Sequence, residues 1–206
     1  MPYLKNKIAI LLLLGGKSTR IGGGIKSLKK INNKKIIDII LATLKPQIDN
    51  IIINCNKKEK SITKYDLPIV SDMKQGYLGP LAGIHAGMNW LTKNNPKIDW
   101  LITIPGDSPF IPSNLVSCFD NTISSKSKII LAKSNLKIHP VIGAWKIDLL
   151  KDLENHINNG TRKILNWAEK YSMEFVNFSN KNYDPLFNIN TKEDLIKAEL
   201  IEKKFF

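Results

Sequence analysis

The sequence contains few cysteines, and its apolar runs are short. The two cysteines, Cys55 and Cys118, lie far apart, and neither has a second thiol or a histidine beside it. This spacing argues against a disulfide or a metal site and favours reduced thiols. The longest apolar run, Ile8 to Leu14, is too short to span a membrane. The N-terminal MPYLKNK has neither the apolar core nor the cleavage pattern of a signal peptide. We therefore expect a cytoplasmic protein with no membrane partner.

Histidine and arginine are also scarce. The three histidines, at positions 85, 139 and 156, match no metal spacing, and no Ser-His-Asp arrangement is evident. The arginines are Arg20 and Arg162, so the formal net charge of +13 comes almost entirely from scattered lysines. Proteins that read bases favour arginine for its bidentate fork. The composition therefore predicts no nucleic-acid partner, although it suits a phosphorylated small molecule.

The length and apolar content suit one domain. A chain of 206 residues that is 43% hydrophobic can bury a sizeable core, and we expect a single domain over residues 1–206. Apolar runs predict strands at Ile8–Leu14, Ile51–Asn54, Pro68–Val70, Asp99–Ile104, Lys128–Lys133, His139–Trp145 and Met173–Phe178. Helical spacing predicts helices at Lys35–Leu44, Leu81–Leu91, Pro112–Phe119 and Thr161–Lys170, and after Thr191 with Asp194 in a capping box. This alternation predicts an α/β fold with a mostly parallel sheet between two layers of helices.

Four strand ends carry residues that suit a binding site. In open α/β sheets, ligands bind beyond the carboxyl ends of the strands. That rule selects the loop Gly15–Lys26, Asn54, Ser71-Asp72 and Pro105–Pro109 with its Asp107. We expect these four places to converge on one cleft.

The loop after the first strand contains Gly-Lys-Ser, the final letters of a P-loop motif. A P-loop needs a glycine five residues before that Gly-Lys pair. Here the required position is Leu11, which lies inside the predicted strand. The dinucleotide fingerprint fails as well, because its third glycine would fall on Ser27. The loop is therefore neither of these motifs.

The same loop nevertheless suits a polyphosphate. Its glycines, Gly15 and Gly16 among them, allow close approach of backbone N–H groups. Three cations, Lys17, Arg20 and Lys26, lie within the same twelve residues. Backbone amides and cations together form an anion-binding nest. An ordinary glycine-rich turn with solvated lysines is the alternative, and it accounts less well for this density.

Asp107 follows a buried strand in the segment IPGDSPFIP. Gly-Asp-Ser is also ordinary turn chemistry. Beside a polyphosphate, however, a carboxylate can hold Mg²⁺, which takes protein and phosphate oxygens together. We therefore predict Asp107 as a magnesium ligand.

The segment Gly79-Pro80-Leu81-Ala82-Gly83 begins a helix. Gly79 and Gly83 fit two interpretations equally. Either the backbone packs too closely there for a side chain, or the helix N-terminus faces an anion or a base.

Six segments, taken in order, resemble the motifs of a known family. They are LLGGKSTRIGGGIKSL, INCN, VSD, GPLAGI, IPGDSPFIP and FNINTKEDL. Together they resemble the molybdenum cofactor guanylyltransferases, MobA-like members of the nucleotidyltransferase superfamily. The resemblance extends from about Ile8 to Ala198.

The resemblance implies a Rossmann-like αβα sandwich and a transfer of GMP from GTP to Mo-molybdopterin. The implied partners are those two substrates and the molybdoenzymes, or their chaperones, that receive the product. The implied residues fall into a GTP group with Lys26 on the phosphates, a Mg²⁺ ligand, and a pterin group. The GTP group is Leu13, Leu14, Gly15, Asn54 and Asp72. The Mg²⁺ ligand is Asp107, and the pterin group is Asn188 and Asn190. The predicted catalytic residues are Lys26, Asp107 and Arg20.

The chain departs from the family pattern at three positions. Leu14 stands where the family usually has alanine, Ile25 where it often has aspartate, and Gly106 where it often has cysteine. The bulk of Leu14 predicts a tighter or shifted base pocket. A nucleotidyltransferase that uses CTP with molybdopterin, or that acts on a sugar phosphate, is the alternative activity. A nucleotide-binding protein without catalysis is a third.

Overall fold

The computed structural model describes residues 5–15, 23–56, 59–73 and 79–206. The strands are β1 (Ile8–Leu13), β2 (Lys30–Ile31), β3 (Lys34–Lys35), β4 (Ile51–Asn54), β5 (Ile69–Val70), β6 (Trp100–Pro105), β7 (Ile129–Ser134), β8 (Lys137–Lys146) and β9 (Met173–Asn177). The α-helices are α1 (Ile36–Leu44), α2 (Lys60–Thr63), α3 (Pro80–Asn94), α4 (Leu115–Thr122), α5 (Leu150–Asn158), α6 (Ile164–Ala168) and α7 (Lys192–Phe205). None of the helices in these ranges has the length and apolar character to cross a membrane. Neither cysteine is in a disulfide.

The central sheet has seven strands in the order β5-β4-β1-β6-β8-β7-β9. Neighbouring strands are parallel except in the two pairs that involve β8. A short hairpin, β2–β3, forms a separate antiparallel sheet. The predicted mostly parallel sheet is confirmed.

Two hydrophobic clusters cover the two faces of this sheet. Strand β1 is buried along its whole length, and its successive side chains point to opposite faces. Ile8, Ile10 and Leu12 belong to one cluster, which also includes residues of α1, α4 and α7. The intervening residues of β1 belong to the other, together with residues of α3, α5 and α6. The result is the predicted three-layer αβα sandwich.

The predicted elements differ from the observed ones mostly at their ends. Strand β4 has the predicted bounds, whereas β1 ends one residue early and α6 is shorter than predicted. Thr191 and Asp194 form the predicted capping box, with Asp194 N donating to Thr191 Oγ1 at 3.1 Å. The β2–β3 hairpin and α2 were missed, because two-residue strands and a one-turn helix are too short to show a period. The nine-residue helix α5 was also missed, although its buried Leu153 and Ile157 have helical spacing.

Candidate active site

A cavity of about 330 Å³ opens at the carboxyl edge of the sheet. It brings together the ends of β1, β4 and β6 and the start of α3, as the topology rule predicts for this kind of sheet. Most of the predicted site residues line it, namely Leu13, Leu14, Gly15, Lys26, Asn54, Asp72, Gly79, Gly83, Asp107 and Asn188. The predicted convergence of four strand ends is therefore observed.

Lys26 and Asp107 form an ion pair in this cavity. Lys26 Nζ lies 2.8 Å from Asp107 Oδ2, and the two side chains are only 20% and 16% exposed. Lys26 Nζ also donates to Asn190 Oδ1 at 2.6 Å, and Asn188 Nδ2 donates to Asp107 Oδ1 at 2.9 Å. Four predicted residues from three distant segments thus form one polar cluster, although the exposed Asn190 is not among the residues that line the cavity.

The backbone holds Asp107 in place from two sides. Pro105, the last residue of β6, is in register with Leu13 of β1. The next amide, Gly106 N, donates to Leu13 O at 2.9 Å, and Ile189 N donates to Asp107 O at 2.9 Å. The loop that carries the carboxylate is therefore tied both to the central strand and to the segment before α7.

Asn54 and Asp72 form a second polar group on the other side of the cavity. Asn54 Nδ2 donates to Asp72 Oδ1 at 3.0 Å. Asn56, which the sequence did not single out, donates from Nδ2 to Asp72 Oδ2 at 2.7 Å and accepts from Asp72 N at 2.7 Å. Its position two residues after the end of β4, at the predicted cleft, is the signal that could have identified it.

Backbone conformation accounts for Gly79, and close packing accounts for Gly83, at the start of α3. Gly79 has φ +69°, a left-handed conformation that favours glycine. A Cβ at Gly83 would lie 2.6 Å from both Asn54 Oδ1 and Leu13 Cδ2. The close-packing interpretation is therefore supported. The anion or base interpretation stays a prediction, although both glycines line the cavity.

The glycine-rich loop is described only at its ends. Gly16, Lys17, Arg20 and Gly22 lie outside the described residues. Gly23 and Gly24 have φ of +75° and +76°, so the end of the loop requires glycine.

Two apolar residues, one before this loop and one near its end, are buried. Leu11 is a fully buried strand residue, as the argument against a P-loop requires. Ile25 is buried in the core.

The oxygen donors around Asp107 suit a magnesium ion that arrives with a nucleotide. In the described part of the chain, no group of three histidine, cysteine or carboxylate side chains could hold a metal ion. A site with one protein carboxylate is ordinary for Mg²⁺, since water and substrate phosphates supply its other ligands. The residues therefore fit a nucleotide-borne ion rather than an all-protein cage, and Asp107 is the residue that would hold it.

The structure brings together a serine, a histidine and an aspartate that no sequence pattern links. Ser134, His139 and Asp184 are joined by hydrogen bonds of 2.7 and 2.6 Å. The Ser134 hydroxyl donates to Asp184 rather than to the imidazole, so the order is not that of a nucleophilic triad. Asp184 lies 50 residues from Ser134, and no sequence signal links the two.

The comparisons with known proteins agree with this architecture. Residues 10–172 match the MobA-like NTP transferase domain. The molybdenum cofactor guanylyltransferase of Nitrobacter hamburgensis is 36% identical over 191 residues, which cover 92% of this chain and 91% of the relative. That of Rhodopseudomonas palustris is 33% identical over 193 residues, 93% of this chain and 92% of the relative.

The fold has a counterpart among solved structures. Molybdopterin-guanine dinucleotide biosynthesis protein A from Archaeoglobus fulgidus superimposes with a TM-score of 0.78 at 24% identity, over 96% of this chain and all of the other. At that identity the likeness shows the shared fold. Because the domain match covers most of the chain and the curated relatives share a third of its residues, this chain belongs to the MobA-like NTP transferase family, alongside the molybdenum cofactor guanylyltransferases.

Proposed function

We propose that this protein transfers GMP from GTP to Mo-molybdopterin, forming molybdopterin guanine dinucleotide and releasing diphosphate. The names of relatives that match over nine-tenths of the chain support the substrates. The product would pass to molybdoenzymes or their chaperones, and the reaction would take place in the cytoplasm.

The Lys26–Asp107 ion pair is the observation that carries the proposal. A cation and a carboxylate at 2.8 Å in one cavity supply the two charges that a triphosphate with a divalent cation needs. When GTP binds, the Lys26 ammonium would exchange its carboxylate partner for phosphate oxygens. Asp107 would then be available to Mg²⁺, which would neutralise phosphate charge.

The reaction is an in-line displacement at phosphorus. The terminal phosphate oxygen of molybdopterin would form a bond to the α-phosphorus of GTP, and the bond from that phosphorus to the diphosphate would break. This nucleophile is already ionised at neutral pH, so the protein needs to position it and balance charge rather than remove a proton. Lys26 and the cations of the glycine loop, Lys17 and Arg20, would stabilise the charge on the departing diphosphate.

The two ends of the cavity would hold the two substrates. Leu13, Leu14 and Gly15, with the hydrogen-bonded Asn54 and Asp72, would contact GTP. The pterin substrate would lie toward Asn188 and Asn190. Since these two side chains are bonded to Asp107 and Lys26, the two substrate sites would meet at the ion pair.

Product mass is the decisive test. The protein is incubated with Mg²⁺, molybdopterin and one of GTP, CTP, ATP or UTP, and the products are weighed by mass spectrometry while diphosphate is measured. We expect the guanine dinucleotide and one equivalent of diphosphate from GTP. A cytosine product would contradict the choice of base. GTP binding without diphosphate release would contradict catalysis.

A further inference from the structure

Ser134, His139 and Asp184 form a hydrogen-bonded network near the cavity, in which Ser134 and His139 are buried and Asp184 is half-buried. Ser134 ends β7, His139 lies on β8, and Asp184 lies in the segment that leads to α7. Ser134 Oγ donates to Asp184 Oδ1 at 2.6 Å and lies 2.7 Å from His139 Nε2. Ser134 is 2% exposed and His139 is 7% exposed. None of the three lines the cavity.

The proton positions in this network follow from its chemistry. A carboxylate only accepts hydrogen bonds, so the single hydroxyl proton of Ser134 goes to Asp184. Ser134 Oγ must then accept from His139, whose Nε2 carries hydrogen. Burial lowers the pKa of His139, against the opposing effect of Asp184 and with a further lowering by Lys137, which favours the neutral imidazole. His139 therefore donates to Ser134, and Ser134 donates to Asp184.

The turn of the β7–β8 hairpin places His139 near Ser134, since Ser134 pairs with Lys137 and the register continues without a break to His139. An irregularity in the sheet follows directly after His139. Leu131 of β7 pairs with Gly143, but the next residue, Ala132, pairs with His139. Residues 140–142 of β8 are therefore extra, and one of them, Val141, lines the cavity. Bulges of this kind redirect side chains and are common next to active sites.

The other end of the network leads directly to Asp107. Asp184 Oδ1 also accepts from Leu186 N at 2.9 Å, which forms a turn. Two residues later, Asn188 Nδ2 donates to Asp107 Oδ1 at 2.9 Å. Ile189 N donates to Asp107 O, also at 2.9 Å. The segment 184–190 is thus held by Ser134 at its start and holds Asp107 at its end.

We propose that Ser134, His139 and Asp184 are positioning residues that fix the segment 184–190, so that Asn188 and Asn190 keep Asp107 and Lys26 in their reactive places. The proposal rests on the proposed GMP transfer for its kinetic part. The network acts through Asn188, since none of its members reaches the cavity. Loss of the hydrogen bonds that support a metal-binding side chain typically lowers metal affinity or activity by about 10- to 100-fold.

The test compares Ser134→Ala with a matched variant, Ser127→Ala. Ser127 is equally buried, at 1% exposure, and its hydroxyl donates to the carboxylate of Glu174. It precedes β7, whereas Ser134 ends that strand. Asp184→Asn, which keeps an acceptor oxygen, is the conservative variant, and Asp184→Ala removes the acceptor.

Two readouts are needed. Hydrogen exchange at the Ile189 amide reports on the segment without any substrate, with the β1 amides as internal reference. The Mg²⁺ concentration for half-maximal diphosphate release reports on Asp107. In Ser134→Ala and Asp184→Ala we expect exchange at Ile189 and the required Mg²⁺ concentration to rise by about tenfold or more. Ser127→Ala and Asp184→Asn should stay close to wild type in both.

Coupling to Asn188 separates positioning from a general loss of stability. In an Asn188→Ala background, Ser134→Ala should add no further loss of activity. An additive loss, unchanged exchange at Ile189 in Ser134→Ala, or an equal effect of Ser127→Ala would overturn the proposal. If the wild-type protein makes no guanine dinucleotide, the proposed function fails, but the exchange measurement still decides whether the network holds the segment.

Discussion

The side chain of Leu14 fills the space that a side chain at position 106 would need. A Cβ at Gly106 would lie 2.5 Å from Leu14 Cδ2, and also 3.2 Å from Ser27 Cβ and 3.3 Å from Leu13 O. Leu14 and Gly106 are two of the three positions at which the resemblance implies a departure from the family pattern. The large side chain of Leu14 thus fits because position 106 has no side chain, and one methyl group of Leu14 packs against the Asp107 loop.

Gly106→Ala should destabilise the protein by about 1–3 kcal/mol, because the added methyl group overpacks a closed site. The double variant Leu14→Ala/Gly106→Ala should be more stable than the sum of the single changes predicts, by about 1 kcal/mol or more. Denaturant unfolding of the four proteins of this cycle measures the coupling. Strictly additive effects would show that the two positions do not compensate each other.

Gly83→Ala should weaken GTP binding as well as stability. Its methyl group would meet Asn54 Oδ1 at 2.6 Å and displace the side chain that bonds Asp72. Gly87→Ala, one turn later on α3, would have Leu11 and Leu101 as its nearest neighbours, with Leu11 Cδ2 at 2.7 Å. We expect calorimetric titration to show reduced GTP affinity for Gly83→Ala alone, while thermal unfolding shifts for both. Equal GTP affinities of the two variants would show that Asn54 does not belong to the GTP site.

Asp107→Asn should abolish Mg²⁺-dependent diphosphate release while the fold is retained. The amide keeps the volume and an acceptor oxygen but lacks the charge that attracts a divalent cation. GTP affinity measured without Mg²⁺ should be at least that of wild type, because Lys26 no longer has to exchange a carboxylate for phosphate oxygens. Near-normal turnover at saturating Mg²⁺ would show that Asp107 is not the metal ligand.

Lys26→Ala should lower kcat/KM for GTP by about 10²- to 10³-fold, since a cation aimed at developing phosphate charge is lost. Lys7→Ala is the matched control. Lys7 pairs with Asp99 at 3.0 Å, where β1 and β6 begin rather than end. Steady-state diphosphate release by both variants separates a role at the phosphates from the loss of any lysine–aspartate pair. An equal effect of the two substitutions would count against the role of Lys26.

Stability should fall in acid as Asp152 becomes protonated. Burial alone would raise the pKa of Asp152, but hydrogen bonds from Lys170, Trp167 and Tyr171 outweigh it and lower the pKa from 3.8 to about 2. A carboxyl whose pKa is lowered by folding stabilises the native state above its unfolded pKa, and that contribution disappears as the pH falls. Between about pH 4 and pH 2, wild type should lose stability more steeply than Asp152→Asn. Parallel acid limbs in pH-dependent unfolding would contradict this.

Much of the candidate site followed from local signals. The apolar run Ile51–Asn54 is a strand at its predicted bounds. Asp107 could be predicted because it directly follows a continuous apolar strand, and parallel strands place their carboxyl ends at one edge. The left-handed glycines at 23 and 24 also agree with a glycine requirement that the sequence showed.

Other parts depended on contacts that no local pattern encodes. Asn56 joins Asp72 across 16 residues. Ser134 bonds Asp184 across 50 residues, although β7 and the segment before α7 are far apart in the sequence. The bulk of Leu14 led to the expectation of a changed base pocket, whereas part of its side chain packs against Gly106. The sequence shows the size of each residue, but it does not show which neighbouring residue leaves space for its side chain.

The sequence by itself determined the class of the fold and the edge of the sheet at which the site lies, because side-chain periodicity and the order of strands and helices are local properties. Only the tertiary structure decided which polar groups act together. Lys26 and Asn188 both bond Asp107 across 81 residues, and a bond of that kind exists only when β1, β6 and the segment before α7 are packed side by side.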